Sequence, residues 1–124
     1  MKVTGISTVF VYVSNLDRAK EFYGRQIGLG KVSLEGPSWA EWKIARSGTA
    51  FAIQKADQRL IEGSVPARNT IRFSFVVDDI RKTYNELFEE GIRVHSEPKE
   101  GTGFIYVDFE DPDRNVLRAV QYVK

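Results

Sequence analysis

Between Thr8 and Val13 the chain reads TVFVYV, and the alternation puts Val9, Val11 and Val13 on one side and Thr8, Phe10 and Tyr12 on the other, the period of a β-strand. The pattern then changes. Ser14-Asn15-Leu16-Asp17 supplies side chains that cap helices, and Ala19, Phe22 and Tyr23 follow at helical spacing. Gly28-Leu29-Gly30 ends that helix, after which VSLEG, SWAEWKIA and GTAFAIQ read as three short strands separated by Gly, Pro and Ser. The predicted unit is a strand, a helix and three strands.

From Ile71 the same order returns: a strand to Val77, cap residues Asp78 and Asp79, a helix through Tyr84, Leu87 and Phe88, a stop at Gly91, and strands near IRVH, GFIYVDF and NVLRAV. Val13 and Val77 hold equivalent places, 77 − 13 = 64 residues apart, so the chain is read as two copies of one module. The expected organisation is a single domain over 1–124, with module one at about 5–55, a connector at about 56–69 within the polar stretch KADQRLIEGSVPARN, and module two at about 70–122. Each module has more strands than one helix covers. The expected fold class is therefore α+β: two βαβββ modules forming a curved mixed sheet around a shared cleft, with helices on the outer face. Period 2 assigns Val9, Val11, Val13, Ile71, Phe73, Phe75 and Val77 to the helix side. It turns Thr8, Phe10, Tyr12, Arg72, Ser74 and Val76 toward the cleft.

Composition narrows the partners. The 124 residues are 42% apolar and 28% charged, enough for one core. Eighteen basic against seventeen acidic residues leave a net charge of +1 without any Lys/Arg block, which argues against nucleic acid as a partner. Zero cysteines exclude disulfides, thiolate metal sites and a cysteine nucleophile. No apolar run reaches the roughly 20 residues of a membrane span. The start MKVTGIST has no basic segment followed by an apolar one, so no membrane partner and a cytoplasmic location are expected.

The stretches FVYVSNLDRAKEFYGRQIGLG, FVVDDIRKTYNELFEEGIRV and FEDPDRNVLRAVQ, in this order and spacing, resemble the vicinal oxygen chelate superfamily of glyoxalases, extradiol dioxygenases, epimerases and bleomycin-type antibiotic-binding proteins. The resemblance covers nearly the whole chain. One departure is Arg114, where the closing turn of the family commonly has Gly. Metal-dependent members place four ligands, usually His and Glu, on inward strand positions, one pair per module. Carried over by counting from the motifs, these fall on Thr8, on Gln54 toward the end of GTAFAIQ, on Arg72 and on Arg118. None is a His or a carboxylate, and a guanidinium has donors but no lone pair to offer a metal. The expectation is a member with no metal and no cofactor. His95, the single histidine, is placed on a short strand away from those positions and read as a partly exposed imidazole.

Two arginines facing one hollow need an anion, because an isolated buried charge costs more than a domain's margin of stability. Two sources stand open: an external carboxylate, phosphate or phenolate, or an internal acid, Glu41, Asp108 or Glu110. Phe10 and Tyr12 suit a flat, partly polar molecule. Trp39 shares a side with Glu41 and Lys43 and is a candidate for the cleft rim or a dimer contact, whereas Trp42 goes with Ala40 and Ile44 into packing. Lys55, Arg59 and Arg68 belong to the connector, read as a solvated loop. No G-x-S-x-G is present, and Gly28-Leu29-Gly30 follows a helix rather than a strand, so neither a serine-hydrolase nor a dinucleotide motif survives. The expected function is metal-independent binding of an anionic or aromatic small molecule by Arg72, Arg118, Gln54, Thr8, Phe10, Tyr12 and Trp39, in a chain that the resemblance implies is a homodimer. The rivals are a lyase, isomerase or epimerase using Glu41 or Asp108 as base, and a structural or regulatory dimer whose arginines are already paired.

Overall fold

The structure, a computed structural model, describes residues 1, 2, 4, 6–56 and 74–123. The chain divides into two compact units, Met1–Val65 and Pro66–Lys124. In the first, strand β1 (Thr8–Val13) leads into helix α1 (Leu16–Lys20), which widens into a π-helical stretch over Glu21–Gln26; strands β2 (Leu34–Gly36), β3 (Trp39–Lys43) and β4 (Ala50–Lys55) follow. The second has β5 (Ser74–Val76), helix α2 (Ile80–Glu89), β6 (Lys99–Gly101), β7 (Phe104–Glu110) and β8 (Val116–Tyr122). The sheets are ordered β1-β4-β3-β2 and β5-β8-β7-β6, with β1/β4 and β5/β8 parallel and the other pairs antiparallel. The class is α+β, built from two βαβββ units with four-stranded mixed sheets.

The repeat is exact at the helix caps. Asn15 Oδ1 accepts from the Arg18 backbone N–H at 2.9 Å, and Asp79 Oδ1 from that of Lys82 at 3.1 Å; the two caps are 79 − 15 = 64 residues apart. Each cap satisfies an N–H that the first helical turn leaves without a partner.

Within the first unit, Val11 and Val13 of β1, Ala40 and Trp42 of β3, and Phe51 and Ile53 of β4 are buried on one sheet face. Buried Ala19, Phe22 and Tyr23 come from the helix, and the Tyr23 ring lies 4.8 Å from Phe51 and 6.2 Å from Trp42. Burial of each Val, Ile or Phe among them contributes about 1.5–3 kcal/mol. The helix ends by folding back on itself: Gly30 N–H donates to Gly24 O at 2.9 Å, and Trp42 Nε1 donates to Gly30 O at 2.9 Å. A Cβ on Gly24 would stand 3.0 Å from Gly30 O, so a larger residue there would push this turn back by a few tenths of an ångström.

In the second unit Val107, Phe109, Leu117 and Ala119 are buried on the face that α2 serves with Ile80 and Leu87. Tyr84 is half-buried, but Phe88 is 69% exposed: one residue beyond Leu87 it stands about 100° round the helix, off the buried stripe. IRVH, expected as a strand, contributes one isolated bridge, Val94 to Phe109. The hairpin partner of β7 is instead Lys99–Gly101, since Pro98 between them lacks an N–H for a continuous ladder. Of the predicted strand through Arg72, residues 74–77 fall among the described residues and Ser74–Val76 form β5; Arg72 itself, Arg59 and Arg68 lie outside them.

The closing turn resolves the departure at Arg114. Asp111, 4% exposed, accepts from the backbone N–H of Asp113 (2.9 Å) and of Asn115 (2.8 Å) and from Asn115 Nδ2 (2.8 Å). Arg114 completes the turn at φ 68°, the left-handed region that costs an ordinary L-residue about 1–2 kcal/mol. Glycine avoids that strain but loses about 0.5–1 kcal/mol more conformational freedom on folding. Arg114→Gly is expected to raise the unfolding free energy by about 0.5–1 kcal/mol, read as a higher urea midpoint at unchanged slope; a lower midpoint would contradict a strained turn.

Candidate functional site

On each sheet, the face away from its helix carries the residues singled out by the sequence. In unit one the strand register sets them out as a grid. One row runs Gly36, Trp39, Gln54, Tyr12; the next Leu34, Glu41, Ala52, Phe10; the third Lys43, Ala50, Thr8. Thr8, Phe10, Tyr12, Gln54 and Trp39 therefore stand on one face, because residues directly opposite in a ladder project to the same side. Ala52, 0% exposed, is small enough for rings from the strands on either side of β4 to meet above it: Phe10 and Trp39 lie 5.3 Å apart at 60°. Tyr12 packs edge-on against Phe10 at 5.7 Å. Phe10 and Tyr12 are each 44% exposed. Trp39 Nε1 donates to Glu41 Oε1 at 2.8 Å, fixing the indole, and Thr8 Oγ1 lies 3.2 Å from Ser7 Oγ.

Unit two carries charge where unit one carries rings. Ser74, Arg118 and Asp108 form one row. Arg118 grips Asp108 with two hydrogen bonds, Nε to Oδ1 at 2.7 Å and Nη2 to Oδ2 at 3.0 Å, and lies over the Tyr106 ring at 3.9 Å. The hydrogen bond to Asp108 raises the Arg118 pKa above its ordinary value, against the opposing effect of burial. Of the two anion sources open in the sequence, the internal one is realised for Arg118.

His95 is partly exposed, as expected, but its position requires a correction. It does not stand apart: its N–H donates to Asp108 O at 2.9 Å, Glu110 N–H donates to Arg93 O at 2.9 Å, and His95 Nε2 is 2.9 Å from Glu110 Oε2. It thus shares the face of Arg118. The alternation of IRVH held the signal, since Ile92 and Val94 are the apolar pair and leave Arg93 and His95 to the other side. Arg114 Nε stands 3.7 Å from Glu110 Oε1. Asp108 and Glu41, the bases considered for an enzyme, are engaged by Arg118 and Trp39 respectively.

The glyoxalase/bleomycin resistance protein/dioxygenase superfamily model matches residues 5–118. The chain belongs to this superfamily. The uncharacterized protein YetH of Bacillus subtilis (strain 168) is 28% identical over 117 residues, spanning 90% of this chain and 93% of YetH. Among solved structures, TnmS3, an antibiotic binding protein from Streptomyces sp. CB03234, superposes with a TM-score of 0.78 at 23% identity and 98% coverage of both chains. A glyoxalase/bleomycin resistance protein/dioxygenase from Nocardioides gives 0.76 at 18% identity, covering all of this chain and 87% of the other.

The metal set of the superfamily does not fit these residues. The offset of 64 carries Phe10 onto Ser74; Phe10 pairs with Ala52 and Ser74 with Arg118, so the counterpart of Arg118 is Ala52, and Gln54 corresponds to Val120. The expected register at Gln54 is thus displaced by two residues along β4. Alanine and a carboxylate-bound guanidinium offer no lone pair to a cation. Among the described residues no three His, Cys, Asp or Glu side chains come together.

Arg118 and Asp108 are both partly exposed, which limits the energy of the pair, but its bidentate geometry favours it over an ordinary surface pair. Arg118→Met and Asp108→Asn are each expected to destabilise by about 1–2 kcal/mol, with a double-mutant coupling of about 1 kcal/mol by urea unfolding. Additive effects would mean that the pair contributes nothing.

Proposed function

We propose that this protein binds a flat aromatic small molecule without a metal, on the face of unit one that carries Phe10, Tyr12 and Trp39. The observation that carries the reading is the exposed ring cluster on a sheet face without a helix, with Phe10 at 44% exposure and 5.3 Å from Trp39. Rings held edge to face above a small-residue floor offer a rigid stacking surface at little entropic cost. Gln54 and Thr8 border the rings and supply hydrogen-bonding groups for the ligand's edge. An antibiotic-binding protein of the same fold, TnmS3, adds support.

The aromatic form of the ligand is favoured over the anionic one. An incoming anion would have to displace Asp108 from Arg118 to use that guanidinium. Arg72, a ligand-binding candidate from the sequence, lies outside the described residues and is not part of this reading. Residues that cannot ligate support independence from metal. Homodimerisation belongs to the same reading, with exposed Leu34 and Val76 as apolar surface to cover; sedimentation should give twice the 14.1 kDa chain mass, and a monomer at micromolar concentration would remove that part.

Calorimetric titration with water-soluble fused-ring compounds should show saturable binding that Phe10→Ala and Trp39→Ala each weaken about tenfold, the equivalent of about 1.4 kcal/mol, and that dialysis against a chelator leaves unchanged. Binding lost with the chelator, or variants as tight as the parent, would overturn the proposal.

A further inference from the structure

Within the ring face a carboxylate stands beside the indole. Glu41 is half-buried, lies in the same row as Ala52 and Phe10, and accepts from Trp39 Nε1 at 2.8 Å. Among the described residues it has no cationic partner. Lys43 projects from the same face, but it is exposed, and two residues along a strand separate backbones by roughly 7 Å. Lys20, on the helix, is directed to Asp17 and Glu35.

We infer that the ligand of this face is a cationic aromatic compound, one whose flat ring system carries a fixed or protonated nitrogen charge. This rests on the aromatic-binding reading above. Two physical effects converge on it. A cation over an indole or phenyl face is drawn to the negative side of the ring quadrupole, most strongly for Trp. The carboxylate that takes the indole N–H adds a full negative charge beside that ring, in a setting less screened than open water. A neutral aromatic ligand gains only the stacking, and an anionic one meets both the ring faces and Glu41 with the wrong sign.

The surroundings admit such a ligand. Gly36 is the neighbour of Trp39 on its β2 side and has no side chain to cover the indole, and Leu34, 60% exposed, flanks Glu41 with an apolar surface. The charged nitrogen would sit near Glu41 and Trp39, and the ring system would extend toward Phe10.

Three probes of one shape and different charge test this: 1-methylquinolinium, quinoline and quinoline-4-carboxylate, titrated at pH 8 with Trp39 fluorescence as readout, Trp42 being buried at 1% exposure. The cation is expected to bind about tenfold tighter than quinoline, and the carboxylate weaker than either. Glu41→Gln, which keeps an acceptor for Trp39, should bring the ratio of cation to quinoline affinity close to one, and added salt should shrink the ratio in the parent. Equal affinities, or a preference for the carboxylate, overturn the charge selectivity and leave the aromatic face standing. Quenching by none of the three overturns the aromatic-binding reading and the inference with it.

Discussion

A four-stranded sheet has two faces and each unit of this protein has one main helix to cover them. One face is buried by Tyr23 against Phe51 and Trp42 in unit one, and by Ile80 and Leu87 of α2 in unit two. On the second face the side chains pair with one another, and the two units differ in how they do so. In unit one rings from β1 and β3 close over Ala52. In unit two Arg118 and Asp108 neutralise each other across β7 and β8 over Tyr106. The same topology thus carries an apolar solution and an ionic one.

That difference underlies the proposal that unit one carries the ligand face. A bidentate ion pair satisfies its own charges and must be broken before either partner serves another molecule. Rings at 44% exposure are the reverse case, since apolar area still in contact with water gains free energy when covered. Glu41 gives the ring face a sign, because its carboxylate accepts from Trp39 and forms no ion pair with a described residue. Metal ligation requires donors with lone pairs, and Ala52 and Arg118 have none to give.

Period and punctuation in the sequence carried most of the fold. The repeat offset read from Val13 and Val77 recurs in the caps Asn15 and Asp79, and the alternation of TVFVYV separates buried Val11 and Val13 from exposed Phe10 and Tyr12. What the sequence hid depended on contacts between strands. The register of β4 against β1, which sets Ala52 rather than Gln54 opposite Phe10, is a cross-strand property that no single strand reveals. The choice of Asp108 as partner of Arg118 likewise depends on the β7/β8 register. His95 went astray for a local reason: IRVH alternates like a strand, but its one bridge to Phe109 is what brings the imidazole beside Glu110. Phe88 shows the limit of helical spacing, where one step beyond a buried residue is already solvent.

The two tryptophans offer a direct test, because β3 turns Trp39 and Trp42 to opposite faces and their indole N–H groups donate to different acceptors, Glu41 Oε1 and Gly30 O. In a proton–nitrogen correlation spectrum with labelled protein, addition of a fused-ring ligand should move the Trp39 indole resonance and leave that of Trp42 in place. Movement of the Trp42 resonance with Trp39 unchanged would put the ligand on the helix-covered side and contradict the account.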